Sequence, residues 1–388
     1  MVQGVQRPDA RPPAGCQFGT PMPRSAVVRR TAVGSTMLTA LLTVALSLSL
    51  VGCAGAVVAP LPQGDGLAAD YPGDVGIERD PAVVLAEDFE LTGLAELKSR
   101  WSDIKNEKGE ALLLDRAAPP GSAGARSLRV TATRGRNTGG YLYTVLKPGY
   151  DRLFLRFYVR FAPDYGFDHH FCSLGGELDP TPYPVGRAGI RPDNYWGTGV
   201  EPTTSSPQTY PAKEFAPPGI WHFYTYWPEM RSFENEDGSG ARCYGNDFEP
   251  AQPVLVPRDR WTCVEIMVAM NSAPERADGE QAMWIDGRLV ARFAPGTPTG
   301  YWLRDVFRND AVRGEPFEGL RWRHDMRVNI NKVKLENYVS ESAFERSEAY
   351  ASAHPGFPIN TRQSTVWFDQ LVVSTEYVGP VKAVACQD

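Results

Sequence analysis

No two of the six cysteines stand at CxxC spacing, and no acidic segment has the spacing of an EF-hand loop. The chain therefore carries neither a zinc-cluster motif nor a calcium-loop motif. No repeat of solenoid length is present. Positive charge is in deficit, with 40 Lys and Arg against 46 Asp and Glu. Such a balance excludes the basic footprint of a nucleic-acid binder. It leaves room for an acidic polysaccharide partner, because a few cations gathered in a groove outweigh a distant surface charge. Helical patterning is scarce as well, and only Ser340–Ser352 has it. Against these absences stand 11% aromatic residues, 37 glycines and 33 prolines. A composition rich in aromatics and turn residues favours an all-β extracytoplasmic protein.

Long hydrophobic runs are missing too. The apolar stretch Met37–Val51 is interrupted by Thr39, Thr43, Ser47 and Ser49, and falls short of the roughly 20 residues a membrane span needs. It follows Arg24, Arg29 and Arg30 and ends in Leu50-Val51-Gly52-Cys53. A basic region, an apolar core and small residues before a cleavage point make a secretory signal, and Met22 would be an ordinary start for it. The Leu-Val-Gly-Cys ending resembles the bacterial lipobox, which implies cleavage before Cys53 and lipidation of its thiol. The expected organisation is a signal peptide over 1–52, a flexible tether over 53–80 and one β domain over 81–382. The expected location is lipid-anchored to a bacterial membrane, facing the periplasm or the cell exterior. Cys172, Cys243, Cys263 and Cys386 remain, either as disulfides of undetermined pairing or as free thiols.

Strand signals recur through the domain. Ser127–Ala132, Leu153–Phe161, Trp261–Met270, Arg327–Tyr338 and Thr365–Ser374 alternate or read as long strands. Gln281–Phe293 reads as a hairpin turning at Asp286-Gly287, a pair suited to the positive φ of a tight turn. Nine prolines between Pro180 and Pro218 predict a long loop there, with at most a short strand around Thr198–Glu201.

Two segments carry candidate chemistry. In Trp221–Trp227, His222, Tyr224 and Tyr226 share one strand face, and an imidazole beside two phenols suits sugar stacking and proton transfer. The alternative is an ordinary amphipathic strand. Asp168–Glu177 holds His169 and His170, of which one facing a groove could serve as a general base and the other could be a core histidine. Gly175-Gly176 permits close backbone approach. Arg156, Tyr158 and Arg160 share a face of their strand and are candidates to hold a uronate carboxylate, or else are surface charges on an edge strand.

The succession Leu-Arg-Phe-Tyr-Val-Arg-Phe, His-His-Phe…Leu-Gly-Gly, Tyr-Thr-Tyr, Trp-Ile-Asp-Gly-Arg and Val-Trp-Phe-Asp-Gln-Leu-Val-Val-Ser-Thr-Glu-Tyr-Val-Gly-Pro resembles the concanavalin-A-like β-sandwich superfamily. Within it, the chain resembles the alginate-lyase-type polysaccharide lyases of family 14 over roughly residues 83–380. The resemblance implies a jelly roll of two antiparallel sheets, one concave and forming a saccharide groove, with Tyr224 and Tyr226 matching a groove-facing Tyr-x-Tyr strand. It implies no cofactor, although structural calcium is frequent in the superfamily. The chain departs from the family at two elements. A lysine expected on the Gly-Gly strand falls near His169 or His170, and a Ser-x-Arg strand has Gly199-Val200-Glu201 as its nearest counterpart.

The expected activity is β-elimination beside a uronate carboxylate. Arg156 or Arg160 would neutralise the carboxylate, His170 or Tyr226 would take the C5 proton, and the other phenol would protonate the leaving oxygen. Tyr158, His169 and His222 are further candidates for substrate contact. The alternatives are a non-catalytic glycan-binding lipoprotein and a glycoside hydrolase. The latter would need two carboxylates from among Glu177, Glu201, Glu229 and Glu265.

Overall fold

Alternation dominates the chain's long strands, and it sorts their side chains between a dry interior and two outer faces. The computed structural model describes residues 59–206, 208, 211–231, 233–234 and 241–384. Within them lie two large stacked sheets, a jelly-roll β-sandwich. The eight-stranded sheet runs in the order 288–293, 280–285, 262–269, 152–161, 363–374, 127–133, 112–115, with Val83–Glu87 also paired to Gln363–Ser374. The ten-stranded sheet runs 103–105, 139–150, 330–338, 172–177, 195–203, 220–226, 246–248, 306–309, 299–303, 315–316. Pairing is antiparallel except where Asn246–Phe248 meets Val306–Asn309.

Aromatic side chains fill the interlayer. Phe161 stacks on Phe171 at 5.4 Å and meets Trp221 edge-on at 5.8 Å, and Phe171 lies 5.2 Å from Phe368. All four are essentially without solvent exposure. A polar link crosses the same layer. Thr198 and Thr225 of the ten-stranded sheet share a 2.8 Å hydroxyl contact, and the Thr198 hydroxyl donates to Gln281 of the opposite sheet at 2.8 Å.

Most expected strands are present with boundaries shifted by a residue or two, among them Ser127–Thr133, Arg152–Phe161, Thr262–Ala269 and Gln363–Ser374. The hairpin turns at Asp286-Gly287, both with positive φ. The helix is Glu341–Ala353, and the Ser340 hydroxyl accepts the Ala343 N–H as its cap. Tyr195–Thr203 is a nine-residue central strand rather than a short piece inside a loop. Its prolines lie outside it apart from Pro202, near its end.

The expected tether needs a larger correction. From Ala59 onward the chain is a strap of short 3₁₀ turns packed on the outer face of the eight-stranded sheet. Pro62 O accepts the Trp284 indole N–H at 2.8 Å, and the N–H groups of Leu67 and Ala68 donate to Tyr377 O and Val378 O. Ala68 and Ile77 are buried there. The Asp74 carboxylate pairs with Arg156, which is wholly buried. Burial pushes the Asp74 carboxyl above its usual range despite the guanidinium beside it. Residues 1–58, with Cys16, Cys53 and the signal segment, lie outside the described residues, as does Cys386. Cys172, Cys243 and Cys263 are free thiols.

Removing one member of a buried ion pair strands the other charge, at a cost of about 3–5 kcal/mol. Asp74→Ala is therefore expected to lower the unfolding free energy by that amount in urea titration. A midpoint and slope unchanged from the parent protein would show that the strap is not held by this pair.

Candidate functional site

Five neighbouring strands of the ten-stranded sheet build an open groove on its outer face. The strand register aligns Lys334, Ser173, Gly199, Tyr224 and Asp247 in one row across the sheet. Lys332, Gly175, Gly197 and Tyr226 form the next row. Glycine and serine thus pave two strands between a lysine wall and a tyrosine wall. Three strand spacings separate the walls, about 14 Å from backbone to backbone. The resulting cleft has a volume of about 430 Å³.

Glycine is required at two places around it. A Cβ at Gly176 would come within 2.0 Å of Asn329 O, and one at Gly245 within 2.6 Å of the Tyr224 ring. The latter position seats the tyrosine.

Tyr224 and Tyr226 meet edge to face with their hydroxyls 3.5 Å apart. Burial, reinforced by the neighbouring phenol, pushes the Tyr224 hydroxyl well above its ordinary pKa. His170 lies between two tyrosine rings, stacked at 5.6 Å from Tyr224 and 6.1 Å from Tyr338. Its Nδ1 is 3.2 Å from Glu201 Oε2. Burial disfavours the imidazolium, but the Glu201 carboxylate outweighs burial and raises the His170 pKa. His169 sits at the groove edge with Nδ1 2.8 Å from Ser340 Oγ, its pKa lowered by burial and by His170.

His222 is buried beneath the end of the groove, in a smaller adjoining cavity of about 270 Å³. It lies 3.8 Å from Glu201 Oε1 and 3.3 Å from Asp247 Oδ1. Burial opposes its protonation, and the carboxylates of Asp247 and Glu201 prevail. Burial likewise pushes Glu201 up, while His170 and His222 more than offset it and hold the carboxyl below its usual range.

The structure thus brings His169, His170, His222, Tyr224 and Tyr226 together, and removes the other three candidates. Arg156, Tyr158 and Arg160 belong to the opposite sheet, on its outer face. Arg156 is spent on Asp74 under the strap. The Tyr158 hydroxyl accepts the Val381 N–H at 3.0 Å. Arg160 stacks 4.3 Å over Trp367. Cations at the groove come instead from Lys332 and Lys334, which the sequence reading missed. Lys332 Nζ lies 3.1 Å from Glu177 Oε2, and burial lowers its pKa against that carboxylate. Lys334 pairs with Glu336, and Arg187 of the rim loop pairs with Glu177. The signal was present in the alternation of Lys332, Lys334 and Glu336 with Val333 and Leu335. Among the described residues, no group of three or more His, Cys, Asp or Glu side chains is placed to hold a metal.

No family model and no curated protein matches the chain. Among solved structures, the chain is similar to the alginate lyase vAL-1 from Chlorella virus, at 11% identity and a TM-score of 0.46, over 75% of this chain and 99% of that one. It is also similar to the PL-14 alginate lyase from Aplysia kurodai, at 13% identity and a TM-score of 0.45, over 75% and 98%. An endo-β-1,4-glucuronan lyase from the fungus Trichoderma reesei follows at 14% identity and a TM-score of 0.41, over 78% and 100%. The jelly-roll assignment is read from the two stacked sheets of the chain itself.

Proposed function

We propose that the protein is a polysaccharide lyase that cleaves a uronate-containing polysaccharide by β-elimination, carried on a membrane by lipidated Cys53. The observation that carries the reading is the facing of Tyr224 and Tyr226 against Lys332 and Lys334 across a floor of glycine and serine, with His170 at the groove end between Tyr224 and Tyr338 of the lysine strand. A uronate lying in that trough meets cations on one side and proton-transfer groups on the other. Lys332 or Lys334 neutralises the carboxylate, which acidifies the C5 proton and stabilises the enolate-like intermediate. His170 takes the C5 proton. The C4–O bond then breaks as the C4=C5 double bond forms, and a tyrosine hydroxyl donates its proton to the departing oxygen. Tyr226 is assigned as the donor, on the strand position facing Gly197 and Lys332 across the floor.

The test is the ultraviolet absorbance of an unsaturated uronate product, followed across a panel of uronate polysaccharides. Tyr226→Phe is expected to lower kcat by about 10²- to 10⁴-fold while leaving affinity for the polysaccharide in place. Undiminished turnover in that variant would remove Tyr226 from the mechanism. Binding without product from any polymer of the panel would make the protein a glycan-binding module instead.

The acid limb of the pH profile follows from His170. A base must be unprotonated, and the His170 pKa is raised from its ordinary value of 6.5. Activity is therefore expected to climb with pH through a midpoint above 6.5, and a midpoint below it would count against His170 as the base. The anchor has its own check. Cys53→Ser is expected to move the protein from the membrane fraction to the soluble fraction, and continued membrane association would refute lipidation at that thiol.

A further inference from the structure

Behind His170 lies a row of alternating charges that the elimination chemistry does not use directly. Glu201 stands opposite His222 in the strand register and divides its two oxygens between two histidines. Oε2 is 3.2 Å from His170 Nδ1, and Oε1 is 3.8 Å from His222 Nε2. His222 in turn places Nδ1 3.3 Å from Asp247 Oδ1. Glu201 and His222 are both more than nine-tenths buried, at 7% and 5% exposure.

A carboxylate can only accept hydrogen bonds. A neutral His170 facing Glu201 through Nδ1 must therefore carry its proton on Nδ1, which leaves the Nε2 lone pair open. Nε2 has no protein partner among the described residues. His222 has a carboxylate near each ring nitrogen, at 3.3 Å and 3.8 Å, and their charges favour its imidazolium, which keeps Glu201 anionic. We propose that Glu201, backed by His222 and Asp247, is the positioning group that fixes His170 in the Nδ1–H tautomer and makes Nε2 the proton acceptor of the groove. The same logic of a buried acid orienting an imidazole underlies the serine protease triad. Here the acid is itself held by a second histidine and a second acid. The inference rests on the lyase reading for its catalytic meaning, but the Glu201–His170 coupling is measurable without substrate.

Other groups face His170 and set the background. Tyr224 and Tyr338 cover its two ring faces, and His169 precedes it. Glu336 favours its protonation, and Lys334 opposes it. Asp168 precedes the pair, with Oδ1 accepting the His169 N–H at 2.6 Å.

The experiment is a ¹⁵N and ¹H NMR titration of the histidine rings in the isolated protein, with His170 assigned through a His170→Asn variant. In the parent protein His170 is expected to titrate above 6.5 and to show the Nδ1–H tautomer when neutral. In Glu201→Gln, burial and Lys334 lose their main opponent, so the midpoint is expected to fall below 6.5 and the tautomer preference to weaken. On the lyase substrate, the same variant should lose about 10²- to 10⁴-fold in plateau kcat, with KM little changed and the acid limb moved to lower pH. Asp247→Asn, at a more exposed position, is a gentler second probe. It is expected to lower the His222 midpoint and, by loosening the hold on Glu201, to lower the His170 midpoint by less than Glu201→Gln does; an unmoved His170 would remove His222 and Asp247 from the positioning chain. A neutral Nε2–H tautomer in the parent protein, or a His170 midpoint unchanged in Glu201→Gln, would overturn the proposal. Because the titration needs no substrate, a failed lyase assay leaves this test standing.

Discussion

Burial of Trp221, Phe223 and Thr225 between the sheets is the constraint on which the groove depends. All three are without solvent exposure, and each large aromatic buried contributes about 1.5–3 kcal/mol against leaving it in water. Because side chains alternate, fixing those three inward fixes His222, Tyr224 and Tyr226 outward. A slip of one residue would exchange the two sets, putting an imidazole and two phenols in the dry layer. The Thr198–Thr225–Gln281 link adds a directional restraint. A buried hydroxyl that loses its partner costs more than the bond was worth, so the threonines penalise a misaligned strand more sharply than packing alone.

That logic explains how much was legible in the sequence. Period-2 alternation revealed several strands of each sheet and the face on which His222, Tyr224 and Tyr226 lie, because those signals are local. It could not say which sheet a strand joins, nor whether its polar face meets water. Arg156 and Lys334 have the same kind of neighbours in sequence. One is sealed under the strap and the other lines the groove, and the difference arises from segments far along the chain. The strap was hidden for another reason. Short 3₁₀ turns leave no hydrophobic period, and Ala68 and Ile77 look unremarkable until Val372 and Val378 are seen beneath them. Tyr195–Thr203 was obscured by the prolines around it, while its glycines at 197 and 199 are the trough itself.

The electrostatics of the groove are self-contained. Glu177 holds Lys332 and Arg187, and Glu336 holds Lys334. An anionic ligand therefore has to compete with carboxylates already in place. Partly buried pairs of this kind gain little net energy, and rearranging them around a ligand carboxylate exchanges one ion pair for another at similar cost. At the far end, Glu201 and Asp247 surround His222 with negative charge. An anionic ligand is thus favoured along the lysine wall and repelled from the acidic end.

The glycine pavement separates two properties that most binding sites tie together. The walls are locked, since Tyr224 is wedged by Gly245 and the lysine strand is fixed by Val333 and Leu335 in the core. The floor is not. A Cβ at Gly197 would meet nothing nearer than 3.9 Å, and one at Gly199 nothing nearer than 3.5 Å. Depth is therefore a free variable of this architecture. Single side-chain additions at those two positions would make the channel shallower and change which ligands fit, without disturbing the interior or the tyrosine wall.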